Sequence, residues 1–138
     1  MHIRSLILLL STLFALSACS MSDDTALAEN EVPRFHEALD SSQFEFLYNN
    51  GSENLKKAAT MKEFVSLLEA VYRKLGNVSS SNKKTWNVNY HTSGTFVTLT
   101  YDTVFTQGKG TEQFVYKLSG KEAQLVGYHI NSNDLISR

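Results

Sequence analysis

The hydrophobic period of this chain changes once, near Thr85, and the change sets its fold class. Before Thr85 the apolar residues recur three or four positions apart, as on one face of a helix, most clearly at Phe64, Leu67, Leu68, Val71, Tyr72 and Leu75. From Trp86 to Tyr90 apolar and polar residues alternate, which is the period of a β-strand. Helices followed by strands predict an α+β domain, with N-terminal helices packed on one face of a four-stranded antiparallel sheet.

Three helical segments are predicted in the first part of the domain. Pro33 opens the first, because the missing N–H of a proline costs nothing in the first turn of a helix. A second helical piece is expected to begin near Gln43. Thr60 is the expected N-cap of the third, with Glu63 placed to complete a reciprocal capping box. Gly76 is the stop signal of this third helix.

Four strands joined by short turns are predicted after the helices. Residues 77–84 are polar and Ser-rich, and we expect them to form the loop that leads into the sheet. Segments that contain glycine separate the successive apolar runs and supply the turn signals. Such short links predict an antiparallel meander, with strands over 85–91, 95–105, 112–118 and 123–130.

The first eighteen residues have the order of a secretory signal. A basic start that includes Arg4 leads into the apolar run 5–16, as in export signals. The run is shorter than the roughly 20 apolar residues that a membrane-spanning helix needs. No polar face interrupts it, unlike a helix packed on a core. Residues 1–18 are therefore predicted to be a signal peptide.

The predicted signal ends in the motif Leu16-Ser17-Ala18-Cys19, which resembles the lipobox of bacterial lipoproteins. The resemblance implies that the Cys19 thiol receives a diacylglyceryl group and that the chain is cut before Cys19. It also implies that the new amine is acylated, with palmitate as the expected chain. Several acyl chains anchor far more firmly than one, since each buried CH₂ contributes about 0.8 kcal/mol.

The residue directly after Cys19 indicates in which membrane we expect the protein. In Gram-negative lipoproteins an aspartate directly after the lipidated cysteine commonly retains the protein in the inner membrane, and Ser20 is instead similar to the outer-membrane pattern. The resemblance thus implies the inner leaflet of the outer membrane, facing the periplasm. The polar, acidic segment 19–32 is predicted to be the lipidated N-terminus and a flexible tether, and 33–138 the folded domain.

Cysteine usage and charge argue against several kinds of function. Cys19 is the sole cysteine, so a chain lipidated there has no internal disulfide, no cysteine nucleophile and no Cys-based metal site. The formal net charge is −1 and no block of basic residues is present, which argues against nucleic-acid binding. His36, His91 and His129 are not spaced as metal ligands, and no cofactor motif occurs, so neither a metal nor a cofactor is expected.

Several short motifs resemble those of a known family. They are Phe35-His36-Glu37-Ala38-Leu39-Asp40, Lys74-Leu75-Gly76, Gly94-Thr95-Phe96-Val97-Thr98-Leu99-Thr100-Tyr101, Gly110-Thr111-Glu112-Gln113-Phe114 and Gly127-Tyr128-His129-Ile130. The domain resembles the uncharacterised bacterial exported proteins of the DUF4019 family and is similar to the cystatin-like or NTF2-like cone. That superfamily contains isomerases, dehydratases, ligand carriers and interaction modules, so the resemblance leaves the function open.

Asp102 and His129 are weak candidates for acid–base chemistry in a pocket between the sheet and the helices. Asp102 shares its strand parity with Thr98 and Thr100, the more polar face, so we expect it to meet solvent. His129 shares its parity with Leu125. It either lines the pocket or is a hydrogen-bonded structural histidine, and the second interpretation is favoured.

The other titratable candidates have simpler expected roles. His36 and Asp40 are four residues apart on a predicted helix and are expected to form a surface pair that adds a few tenths of a kcal/mol. Glu112 follows a predicted turn and is expected to be exposed. His91 is a further possible acid or base near the end of the first predicted strand.

The anchor and the missing catalytic set favour a non-enzymatic binding domain tethered to the membrane in the periplasm. Its partner would be an envelope protein or another envelope component. The alternative is a small-ligand carrier or a simple acid–base enzyme that uses the cone pocket, with His129 or Asp102 as its polar group. A homodimer joined by the open sheet face is compatible with both hypotheses.

Overall fold

The computed structural model describes residues 15–137, and the side chains of 21–137. Most of the predicted signal peptide lies outside the described residues. Within them the chain forms six helices and four strands. In chain order these are α1 (Ala15–Glu29), α2 (Glu31–Asp40), α3 (Phe44–Asn49), α4 (Glu53–Ala58), α5 (Met61–Leu75), β1 (Val78–His91), β2 (Gly94–Phe105), β3 (Gly108–Ser119), β4 (Glu122–Asn131) and α6 (Asn133–Ser137).

The helices pack against an open antiparallel sheet, so the α+β prediction is confirmed. The strand order is β1-β2-β3-β4, a simple meander. Helix α1 crosses the sheet and contacts all four strands, and α2 follows it after a single residue. The interior between the layers is packed with large side chains from both, including Phe35, Leu39, Leu68, Leu75, Leu99 and Phe114. Each such side chain stabilises the fold by about 1.5–3 kcal/mol when fully buried.

The flexible tether predicted over 19–32 is wrong, because helix α1 covers residues 19–29 without a break. Helix α1 continues to Glu29, and Thr25, Ala28 and Val32 are buried against the sheet. These three residues lie at i, i+3 and i+7, the spacing of one helix face. Threonine and alanine contribute little hydrophobicity. The sequence of this segment is therefore polar on average and does not show the buried helix face.

The third predicted helix has the expected ends. Glu63 N donates to Thr60 Oγ1 over 3.2 Å, and Thr60 N donates to Glu63 Oε2 over 2.8 Å, which confirms the capping box. Gly76 follows Leu75 at φ +78°, a left-handed conformation that favours glycine. A Cβ at this position would also lie 2.1 Å from Thr106 Oγ1, so the stop signal is confirmed.

The loop predicted over 77–84 is wrong, because most of this segment belongs to β1. The backbone pairs with β2 from Val78 opposite Phe105 onward, with irregularities that leave Ser79 and Lys84 without a direct partner. All fourteen side chains of β1 are at least partly exposed. Residues 78–84 bury neither face and show no alternation of apolar and polar residues, so their sequence resembles a loop.

Candidate functional site

The two weak acid–base candidates both lie on the outer face of the sheet. Asp102 is exposed, as expected, and accepts a hydrogen bond from Thr111 Oγ1 over 3.0 Å. His129 is also exposed and pairs across the sheet with Gln113, so it is neither a pocket residue nor a buried structural histidine. His91 is exposed as well, with its ring 5.9 Å from that of Phe96.

Glu112 was expected to be exposed, and this prediction is wrong, because its side chain is fully buried. Strand β3 begins at Gly108, four residues before Glu112, so Glu112 is not beside a turn. It shares the inward parity of Phe114 and Tyr116, and both of these side chains are buried. The alternation of Glu112, Phe114 and Tyr116 was the available sequence signal.

The surface pair predicted for His36 and Asp40 is also wrong. His36 lies on the same face of α2 as Val32 and Leu39, is only 7% exposed, and points to the sheet. Its Nε2 lies 2.8 Å from Glu112 Oε1. Asp40 instead accepts a hydrogen bond from the backbone N–H of Val78 over 3.0 Å, which fixes the start of β1.

The side chains bonded to Glu112, directly or through one further residue, form one buried polar network, which we call the Glu112 network. Glu112 Oε1 accepts from His36 Nε2 and, over 2.5 Å, from Thr103 Oγ1. Glu112 Oε2 accepts from the hydroxyl of Tyr128 over 2.7 Å. Because Thr103 uses its proton on Glu112, Ser81 donates to Thr103 Oγ1 over 2.7 Å. The network therefore joins α2 to all four strands.

Tyr128 is held in its neutral, donating form. Burial raises its pKa well above the ordinary value, and the negative charge of Glu112 and the hydrogen bond to it act in the same direction. Burial likewise raises the pKa of Tyr116, two strand positions from Phe114 on the inner face. Among the described residues, no buried side-chain nitrogen or oxygen lacks a hydrogen-bond partner. A fully paired network of this kind rigidifies a core.

Two grooves on the surface lie near the sheet, and Glu112 lines neither of them. One, of about 400 Å³, lies between α2, α3 and the β3–β4 turn. Another, of about 540 Å³, lies beside Asp102 and Asp134. Of the network residues only Thr103 lines either of these two grooves, and it is 1% exposed. The rings of Phe35 and Phe114 pack beside His36, and the side chain of Glu112 is fully buried, so its carboxylate is not exposed to a substrate.

No group of three or more His, Cys, Asp or Glu residues in residues 15–137 is arranged to hold a metal ion. Within the same range, no helix has both the length and the apolar character needed to cross a bilayer.

The fold and the network together define a class: a small α+β domain with a packed interior and a buried, fully paired carboxylate. The particular family follows from the sequence. The family model described as a protein of unknown function, DUF4019, matches residues 32–128, which is most of the chain. The chain belongs to this family, as its motifs predicted. A comparison with curated proteins gives no match.

Proposed function

We propose that the protein is a lipid-anchored envelope protein whose DUF4019 domain acts by binding rather than by catalysis. The observation that carries the anchor is the motif at 16–19, placed directly after an uninterrupted apolar run. Acylation of Cys19 would hold the domain at the inner leaflet of the outer membrane, facing the periplasm. The bound partner would be a component of the envelope.

The positions of the polar groups support binding over catalysis. Asp102 and His129, the two candidates for acid–base work, are exposed on the outer sheet face, away from the interior between the sheet and the helices. The carboxylate that does point inward, Glu112, already has three donors and is fully buried. A general acid or base must reach the proton that it transfers. Glu112 has no such access, and Asp102 and His129 lie outside the interior in which an enclosed substrate would sit.

The anchor is tested by mass and by membrane fractionation of the native protein and of Cys19→Ser. We expect the native protein to begin at Cys19 with acyl chains attached and to fractionate with the outer membrane. Cys19→Ser should carry no lipid and should not be cut at this site. Unchanged fractionation of Cys19→Ser with the outer membrane would contradict the anchor.

The membrane that receives the protein is tested by a second pair of variants. Ser20→Asp should move the lipidated protein from the outer to the inner membrane. Ser22→Asp makes the same chemical change two residues further along and is the matched control, which should leave the distribution unchanged. If both variants fractionate like the native protein, residue 20 does not determine the membrane, and the argument from Ser20 is wrong although the anchor itself is not.

Binding is tested in the cell with the lipidated protein. Crosslinking followed by mass spectrometry should capture one defined envelope component from native cells, and the capture should be reduced when Cys19→Ser is used. Loss of capture on substitution of surface residues, with the fold intact, would map the contact. Capture of nothing above background by the membrane-bound native protein would contradict the binding proposal.

A further inference from the structure

We propose that an exposed apolar patch on one edge of the sheet rests on the lipid surface that holds the anchor. The patch consists of Met21, Trp86 and Tyr90. This inference rests on the proposed acylation of Cys19 and adds a second, non-covalent contact to it. The domain would then have a fixed face toward the bilayer instead of hanging from a free tether.

The three patch residues belong to neighbouring parts of the structure. Their side chains are 40%, 48% and 55% exposed, respectively. Trp86 and Tyr90 are on the inner face of β1, opposite Leu99 and Thr95 of β2.

Two contacts hold α1 beside the strand positions of the patch. Tyr90 donates to Asp24 Oδ2 over 3.1 Å, and Lys83 pairs with Glu29. Trp86 lies between Lys83 and Tyr90 on the same strand face, so the helix passes beside it. Met21 is one helical turn before Asp24 and extends the apolar surface toward the N-terminus of α1.

The short distance along the chain from the anchor to the patch favours a bilayer as the occupant. Cys19 lies within α1, five residues before Asp24. At 1.5 Å per residue these five residues span about 7.5 Å. Each headgroup layer of a bilayer is about 5–8 Å thick, half the difference between the whole membrane and its hydrocarbon core. Acyl chains on Cys19 would thus bring Tyr90 to the depth of the headgroups.

The chemistry of the patch also fits a lipid interface. Tryptophan and tyrosine are the residues enriched where membrane meets water, because their rings combine an apolar body with a polar edge. The nearby cations do not add a basic surface, since Lys83 pairs with Glu29 and Lys84 lies 3.9 Å from Asp102. We therefore expect docking to depend on the aromatic rings and to vary little with salt.

The protein contains its own reporter for this contact, because Trp86 is the sole tryptophan of the chain. The acylated protein, its lipid first verified by intact mass, is reconstituted into vesicles of phosphatidylethanolamine and phosphatidylglycerol. We expect the Trp86 emission to shift to the blue relative to Cys19→Ser produced without residues 1–18, which carries neither the lipid nor the apolar signal. We also expect it to lose most of its intensity when the vesicles carry phospholipids brominated near the headgroup. Unshifted, unquenched emission from verified acylated protein would overturn the docking.

A second reporter position provides the matched control. In the double variant Trp86→Phe with Val104→Trp, the sole tryptophan moves to an exposed position on the outer face of β2. Val104 is five residues along β2 from Leu99, the partner of Trp86, so it lies roughly 17 Å along the strand from the patch and on the opposite face of the sheet. This tryptophan should be quenched far less than Trp86. Equal quenching at both positions would show a domain that touches the bilayer without a preferred face, which overturns the proposal.

The outcomes separate the possible failures. A native protein that carries no lipid by mass removes the proposed anchor itself. A lipidated protein whose Trp86 emission ignores brominated lipid removes only the docking. A blue shift that fades as the protein is diluted in the vesicles, without quenching by bromine, would show that a second copy covers the patch and would also overturn the inference.

Discussion

The two edges of the sheet differ in how they are covered. At the β4 edge, the backbone N–H and hydroxyl of Ser52 both donate to the carbonyl of Leu125, over 2.9 and 3.0 Å, so the α3–α4 connection closes that side. At the other edge, β1 has mostly exposed side chains along its fourteen residues. The difference separates a side that is fixed by internal contacts from a side that is available for external ones.

The buried and exposed polar groups follow the same division. Glu112 and Tyr128, on β3 and β4, are enclosed and bonded to each other, whereas Trp86 and Tyr90 of β1 are about half exposed on the same inner face. An open edge strand invites unwanted pairing, and the irregularities at Ser79 and Lys84 interrupt the regular ladder along β1. We therefore expect substitutions in the Glu112 network to change the stability of the fold. Substitutions of exposed residues in β1 should instead change contacts with other molecules.

The largest effect is expected for Glu112→Ala. The substitution leaves His36, Thr103 and Tyr128 as buried donors without their common acceptor, which should lower the free energy of unfolding by about 3–5 kcal/mol. Urea denaturation measures the change. Glu122→Ala removes an exposed carboxylate at the start of β4 and should change stability by less than about 0.5 kcal/mol. Similar losses for the two variants would contradict the division between the sides.

High pH should destabilise the protein through its buried tyrosines. The pKa values of Tyr116 and Tyr128 are raised above 10.0 in the fold, so their contribution is complete below pH 10 and is lost as pH rises further. Above that pH the free energy of unfolding should fall by about 1.4 kcal/mol per pH unit for each tyrosine. Urea denaturation at several pH values, with tyrosinate absorbance followed in parallel, tests this. Ionisation of all six tyrosines near pH 10 with the fold intact would refute it.

Tyr128→Phe should have a smaller effect than Glu112→Ala. It removes one of three donors to Glu112 while keeping the aromatic ring, and it leaves Oε2 without its partner. We expect the free energy of unfolding to fall by about 1–3 kcal/mol. The same substitution at Tyr90, where the hydroxyl is exposed, should change stability little. An equal loss at the two tyrosines would show that the buried hydroxyl of Tyr128 contributes no more stability than the exposed hydroxyl of Tyr90.

Ser81→Ala is expected to have the smallest effect of the series. Ser81 connects the half-exposed β1 to the network through Thr103, whose proton is already donated to Glu112. Loss of this outer hydrogen bond should cost about 0.5–1.5 kcal/mol in thermal or urea unfolding. Thr92→Ala, in the exposed β1–β2 turn, is the control. A loss as large as that of Glu112→Ala would mean that β1 is as firmly fixed as β3.

The sequence predicted best those elements in which a local pattern determines the structure. The capping box at Thr60 and Glu63 and the stop at Gly76 depend on contacts within a few residues or on the conformation of one residue. The β-branched and aromatic run of β2 buries one face, so its alternation was visible. These features need no knowledge of the rest of the fold.

The first half of β1 and the Glu112 network could not be predicted in the same way. Residues 78–84 pair through their backbone, which the side-chain pattern does not record. Glu112 was expected to lie beside the β2–β3 turn and therefore to be exposed to solvent. Its side chain lies on the same side of the strand as that of Phe114, and this alternation indicated a buried position. The contact of His36 with Glu112 joins residues 76 positions apart and depends on how α2 packs on the sheet.

Hydrogen–deuterium exchange is the most direct test of the difference between the two sides. The acylated protein on vesicles is compared, peptide by peptide, with Cys19→Ser produced without residues 1–18 in solution. We predict that β3 and β4 exchange slowly in both states, and that binding to the vesicle adds protection only at the start of α1 and over residues 86–91 of β1. Added protection at β4 with none at β1, or equal exchange of the two edges in both states, would contradict the account.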